Sequence, residues 1–256
     1  MPLKLGRKMG RSLPEDVLRL TDYLVDPLPV WDGSDNFTSG ITDWGMLGNG
    51  PDPLVTNQGP GFGGVGDCGP VGDYHYNLAN AATAKETQPS IGGQVPNEIV
   101  AEYLAYDGGQ DNGVDLAGWL TYRLTHTLAG LPVIGGFAQV SDSGAEFQSA
   151  LHVFAGIYAG ILISQEAYDQ YPDAWTSTAT DWIGGHCVPI LARNADNGVC
   201  VTWGTQQRFS WPWWRVAREE AFVIFKPEQM NAPGGVFQGV KVAQLKADLA
   251  KLGGTT

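Results

Sequence analysis

Basic residues are scarce in this 256-residue chain: 15 Lys and Arg stand against 27 Asp and Glu, a formal net charge of −12. Phosphate recognition needs clustered Lys and Arg, so no nucleic-acid partner is expected. Charged residues of both signs make up only 16%, which leaves Gly, Asn, Gln, Ser and Thr to supply much of the polar surface. Long apolar runs are missing as well. None approaches the ~18 residues of a membrane-crossing helix. The first residues, MPLKLGRKMGRSLPEDV, are basic but lack the apolar stretch of a secretory signal. Only three cysteines are present, Cys68, Cys187 and Cys200, and an odd number cannot all pair within one chain. Reduced thiols and a cytoplasmic or virion-associated setting, with no signal peptide, follow as the expectation. No CxxC pair and no clustered His and Cys spacing exists to hold zinc, and no cofactor is expected.

What the chain has in quantity is glycine, 35 residues, within a composition that is 43% hydrophobic. That favours tight turns and close backbone approaches around an ample core. Residues 1–56 read as an extended N-terminal arm followed by irregular surface chain. Lys4, Arg7, Lys8 and Arg11 lie within the first 13 positions, so the arm should lie on something, either the protein's own acidic body or a partner. The stretch from VDPLPVWDG to NQGPGFGG is rich in Pro, Gly, Asp and Asn and gives no strand or helix pattern.

From Asp67 onward the periodicity sharpens. Pro70 suits the first turn of a helix that continues through YHYNLANAATAKE. Further helices are expected at VPNEIVAEYLAYD, at VDLAGWLTYRLTHT with Leu116, Trp119, Leu120 and Leu124 on one face, and at GAEFQSALHVFAG. The period then changes. GIYAGILIS is a short apolar run of the kind a buried strand shows, and GGHCVPILARNADNGVCVTWG reads as two strands around an NADNG turn. QRFSW and EEAFVIF offer two more strands, and VAQLKADLAKLGG closes the chain as a helix. Helices first and strands second describe an α+β fold with two lobes and a cleft between them. The helical lobe is expected over 66–150, the β lobe over 151–227, and a linker and helix over 231–256.

Chemistry concentrates at Cys68. A thiol at a helix N-terminus sits at the positive end of the backbone dipole, which favours the thiolate. Nearby N–H groups could hold an oxyanion when that sulfur attacks a carbonyl. A thiolate nucleophile needs a base. His75 follows on the same helix and reads as packed or exposed, and His126 and His152 read as structural. His186 differs: WIGGHCVPIL places it after a glycine pair at the start of an apolar strand, where it can face a cleft.

These motifs, over roughly residues 57–225, resemble the papain-like cysteine peptidases in order and in several short segments. GDCGPVGDYH resembles that family's nucleophile loop and helix, GGHCVPILAR its histidine strand, and VTWG with WPWWRV its Trp-Gly segment and later tryptophan turn. The resemblance implies a domain over 57–230 with a helical lobe beside an antiparallel β-sheet or barrel-like lobe. It implies Cys68 as nucleophile, His186 as base, and Gln58 of NQG as oxyanion donor. Gln58 stands farther from the cysteine than the family's glutamine, and Asn49 and Asn57 are alternative donors. The cysteine-to-histidine gap of 118 is shorter than the ~130–150 typical of papain-type enzymes. Val201 occupies the place of the family's orienting asparagine and cannot hydrogen-bond an imidazole. Asn194, Asp196 and Asn197 lie far along the hairpin, and Thr202 should face the other side of its strand.

Two functions follow. One is a cysteine hydrolase cleaving peptide or amide bonds of a peptide or protein substrate through a Cys–His dyad. The other is a weak or inactive papain-like scaffold serving as a structural or binding component, for example of a bacteriophage virion, with a protein partner contacted through the N-terminal arm. The nine tryptophans are either core residues or an exposed aromatic shelf. Cys187 and Cys200 are expected to pack, facing each other across the hairpin.

Overall fold

The longest strand explains the architecture. In this computed structural model, which describes residues 5–9, 17–29, 37–38, 65–84, 95–141, 144–203 and 205–252, the segment Trp182–Arg193 is one strand, buried without interruption from Gly185 to its end. A strand exposed on one face would alternate. One buried on both faces reads as a continuous apolar run, and VPILA does so because a helix covers it and strands flank it.

In chain order the elements are β1 (Phe37–Thr38), α1 (Cys68–Thr83), α2 (Val95–Tyr106), α3 (Leu116–Arg123), β2 (Gly136–Gln139), α4 (Gly144–Val153), β3 (Ile157–Ser164), α5 (Gln165–Gln170), β4 (Trp182–Arg193), β5 (Asn197–Thr202), β6 (Thr205–Ser210), α6 (Trp211–Ala217), β7 (Arg218–Phe225), α7 (Pro227–Met230) and α8 (Val242–Leu252). The strands form one antiparallel sheet in the order β2-β7-β3-β4-β5-β6, with β1 paired to the far end of β4. Helix α1 lies on β4, so close that a Cβ added at Gly72 would stand 3.2 Å from Cys187 Sγ. This is the expected α+β, papain-like arrangement of a helical half packed on an antiparallel sheet.

The helical half has its own polar anchor. Asp73 of α1 is buried and accepts from Arg123 Nε of α3 at 2.7 Å and from Trp119 Nε1 at 3.1 Å. The NADNG turn forms as expected: Asn194 Oδ1 accepts from the N–H groups of Asp196 and Asn197 at 2.9 and 2.8 Å. Ser210 caps α6 by accepting from Trp213 N–H at 3.3 Å.

Several elements depart from the sequence expectation. β2 falls inside the stretch assigned to the helical lobe yet pairs with β7, because four residues hold a strand only through a partner that local sequence does not reveal. β1 lies in chain that carried no strand pattern, for the same reason. Trp119, Trp175, Trp203, Trp213 and Trp214 are buried, so these five belong to the core and not to an aromatic shelf. Cys187 and Cys200 do not oppose each other: Cys200 pairs with Ile190 and its thiol donates to the Gln207 carbonyl at 3.5 Å. His126 and His152 are exposed, with His126 stacked on Tyr122 at 3.7 Å.

Candidate active site

Cys68 is the first residue of α1. The first turn of a helix presents N–H groups that have no intrahelical acceptor, together with the positive end of the dipole. The loop before the helix is fixed by its neighbours: Gly66 N–H donates to Asp111 Oδ1 at 2.8 Å, and Tyr158 of β3 donates from its hydroxyl to the Gly69 carbonyl at 3.1 Å. Cys187 stands nearby. Burial pushes its thiol well above the usual range, and negative charge at Cys68 pushes the same way.

His186 lies on β4 opposite Ile161 of β3. Its ring stacks on Trp203 with centroids 4.6 Å apart and planes 18° from parallel. Trp203 is held edge-on by Tyr171 at 5.3 Å and Trp175 at 5.8 Å, and its carbonyl accepts from Tyr171 Oη at 2.7 Å. Nε2 of His186 lies 2.6 Å from Thr202 Oγ1, while Nδ1 makes no hydrogen bond. The tautomer that donates Nε2–H to Thr202 leaves the Nδ1 lone pair available as a base. Burial pushes the imidazole down to about 3, so the ring is neutral near pH 7.

Thr202 corrects the sequence reading. Cys200 of β5 pairs with Ile190, which shares a face of β4 with His186, so alternation puts Thr202 and not Val201 on the histidine's face. The strand ends at Thr202, and Trp203 takes a left-handed backbone with φ 45°. Alternation fails only at Trp203, so consecutive residues grip the same imidazole, one by hydrogen bond and one by stacking. A threonine before a Trp-Gly pair at a strand end was the available signal. Asn194, Asp196 and Asn197 form the distant turn. Gln58, with the alternatives Asn49 and Asn57, lies outside the described residues.

Cys68 and His186 are 3% and 1% exposed. The chain's own arm runs beside them. Residues 5–9 bridge the two halves: Arg7 N–H donates to the Gly185 carbonyl at 3.1 Å, Lys8 N–H to the Val114 carbonyl at 3.0 Å, and Val114 N–H to the Gly6 carbonyl at 3.0 Å. Gly185 immediately precedes His186. Gly6 lies so close to Gly66, two residues before Cys68, that a Cβ on Gly6 would overlap the Gly66 backbone. Leu5 packs on Gly184.

Comparison with known proteins agrees with this architecture. The chain is similar to xylellain, a cysteine protease from Xylella fastidiosa, with a TM-score of 0.58 and 13% identity over 88% of this chain and 99% of that one. It is similar to digestive procathepsin L 3 of Tenebrio molitor larval midgut, with a TM-score of 0.52 and 11% identity over 82% of this chain and 76% of that one. Against procathepsin B S9 from Trypanosoma congolense the TM-score is 0.52 at 10% identity, over 84% and 85% of the two chains. No family model and no curated protein sequence matches the chain. The fold is that of the papain-like cysteine proteases, and likeness at these identities is a likeness of fold. Among the described residues no group of His, Cys, Asp and Glu is arranged to hold a metal ion, and no helix is long and apolar enough to cross a membrane.

Proposed function

We propose that the chain is a cysteine hydrolase acting on peptide or amide bonds, with Cys68 as nucleophile and His186 as base. The reading is supported by Cys68 at the N-terminus of α1 and by His186, held at Nε2 by Thr202, on the strand against which that helix packs. Cys187 rather than His186 faces α1, and Nδ1 makes no hydrogen bond, so the proton transfer requires the thiol and the imidazole to come together. Nδ1 takes the Sγ proton as sulfur bonds to the substrate carbonyl carbon. N–H groups of the first helical turn, with Gln58 as a further donor, hold the oxyanion. The C–N bond then breaks as the imidazolium returns its proton to the leaving amine. Water, deprotonated by His186, cleaves the thioester, and the sulfur regains its proton.

The burial of Cys68 and His186, with residues 5–9 bonded across both halves beside them, favours a second reading, a scaffold that no longer turns over. Incubation with a peptide library, followed by mass spectrometry of new termini, separates the two. Cleavage that vanishes in both Cys68→Ala and His186→Ala supports the hydrolase. Absence of cleavage, or cleavage unchanged in those variants, overturns it.

A further inference from the structure

Cys187 takes no part in the chemistry above, yet its sulfur lies against the first turns of the nucleophile's helix. Positions four apart on an α-helix lie one above the other, and Cα–Cβ bonds tilt toward the N-terminus. A side chain at position 72 would therefore reach back over the turn that begins with Cys68. Gly72 has none, and Cys187 Sγ of β4 lies where it would run: a Cβ added at Gly72 would stand 3.2 Å from that sulfur and 3.3 Å from Tyr158 Cε2. Tyr158 closes the same corner. Its hydroxyl donates to the Gly69 carbonyl at 3.1 Å and shares a hydrogen bond with Cys187. Cys68 and Cys187 are each 3% exposed, and negative charge at Cys68 is close enough to push the Cys187 thiol up. The other charged groups within reach of Cys187 are Glu220 and Arg7, which pairs with Glu219 and Glu220. The third thiol is elsewhere, for Cys200 pairs with Ile190 and donates to the Gln207 carbonyl.

We propose that Cys187 is the resolving thiol of Cys68, so that a peroxide closes a reversible Cys68–Cys187 disulfide between α1 and β4. This modification rests on the reading of Cys68 as an activated nucleophile, since susceptibility to peroxide follows thiolate character. In the first step the Cys68 sulfur attacks one peroxide oxygen, the O–O bond breaks, and Cys68 becomes a sulfenic acid as water leaves. In the second the Cys187 sulfur bonds to the Cys68 sulfur, the S–O bond breaks, and the Cys187 proton leaves with the hydroxyl as water. Two thiols lose two electrons, and one peroxide gains them. Gly72 leaves no side chain in the path of the two sulfurs as they close. A sulfenic acid with no neighbouring thiol proceeds to sulfinic and sulfonic acids, which a thiol reductant does not reverse. The disulfide thus removes the nucleophile without destroying it.

Wild-type protein is treated with hydrogen peroxide, the remaining thiols are blocked with N-ethylmaleimide, and a non-reducing digest is read by mass spectrometry. The peptides of Cys68 and Cys187 should appear linked, and dithiothreitol should return both free thiols. In Cys187→Ala, Cys68 should instead accumulate as sulfinic and sulfonic acid, on the order of 10-fold more than in wild type. Gly72→Ala, which puts a methyl group against the Cys187 sulfur, should shift the products the same way. The wild-type digest decides whether or not the variants fold. A Cys68 that stays reduced, that is overoxidised beside a free Cys187, or that links to Cys200 or to a second molecule overturns the proposal. A Cys68–Cys187 link in a protein that cleaves no peptide leaves the proposal standing and removes the hydrolase. Cleavage by a protein that forms no such link does the reverse.

Discussion

Arg123 and Arg7 are both fully buried, yet they are held in opposite ways. Arg123 belongs to a closed set. It meets one carboxylate, Asp73, and donates to the carbonyls of His126 and Pro132, while Trp119 and Asn77 complete the bonding of Asp73. Every partner comes from the helical half, and charge is balanced one to one. Arg7 meets two carboxylates on a bulged strand, arrives on an arm held at its backbone by both halves, and fills a gap left by a glycine. The first arrangement locks a fold. The second pins the arm across both halves.

The comparison breaks most readily at the lock. Arg123→Ala should cost about 3–5 kcal/mol, since it strands a buried carboxylate with no route to water. Arg7→Ala should cost less, about 1–2 kcal/mol, because a displaced arm lets water reach Glu219 and Glu220. Chemical denaturation measures both, and equal losses would show that the two arginines play the same role.

Acid sharpens the contrast next. His75 in α1 and His186 in β4 are both pushed down by burial, to about 4 and about 3. Unfolded chains take up those protons below the ordinary value of 6.5 while the folded protein does not. Stability is therefore complete above that pH and falls as pH drops, by about 2 kcal/mol for each histidine at pH 5. In Arg7→Ala the admitted water should move the His186 titration up toward 6.5 and leave His75 unchanged. Imidazole C–H shifts measured by NMR across pH 3–8 check this, and a His186 titration insensitive to Arg7 would contradict the covering role of the arm.

The smallest expected effect lies at the orienting contact. Thr202→Val should lower peptide cleavage by about 10-fold with little change in stability, and Thr202→Ser should restore it. A steady-state comparison of kcat and KM for the three proteins tests it. Loss of stability without loss of kcat would make Thr202 a packing residue only.

Much of this molecule is legible in its sequence, and the failures share one cause. Periodicity marks α1 and the β4–β5 hairpin because their apolar residues repeat locally, and Cys68 and His186 stand out because glycines flank them. β1 and β2 escape because their stability lies in partners distant along the chain. Thr202 escapes because the register of β5 against β4, which sets its face, is not visible in local sequence. The Arg7 seat escapes because it combines an arm, a missing side chain on β3 and a bulge on β7, which no window of sequence contains together.

The most direct measurement is the alkylation of Cys68. Wild-type protein and Arg7→Ala are treated with iodoacetamide near pH 6, and the labelled positions are mapped by mass spectrometry. Cys68 at its helix N-terminus should react on the order of 10-fold faster once Arg7 is removed. Cys187 and Cys200, whose thiols burial pushes up, should stay unlabelled in both proteins. A Cys68 that reacts no faster than those two thiols, with or without Arg7, would contradict an activated nucleophile beneath a displaceable arm.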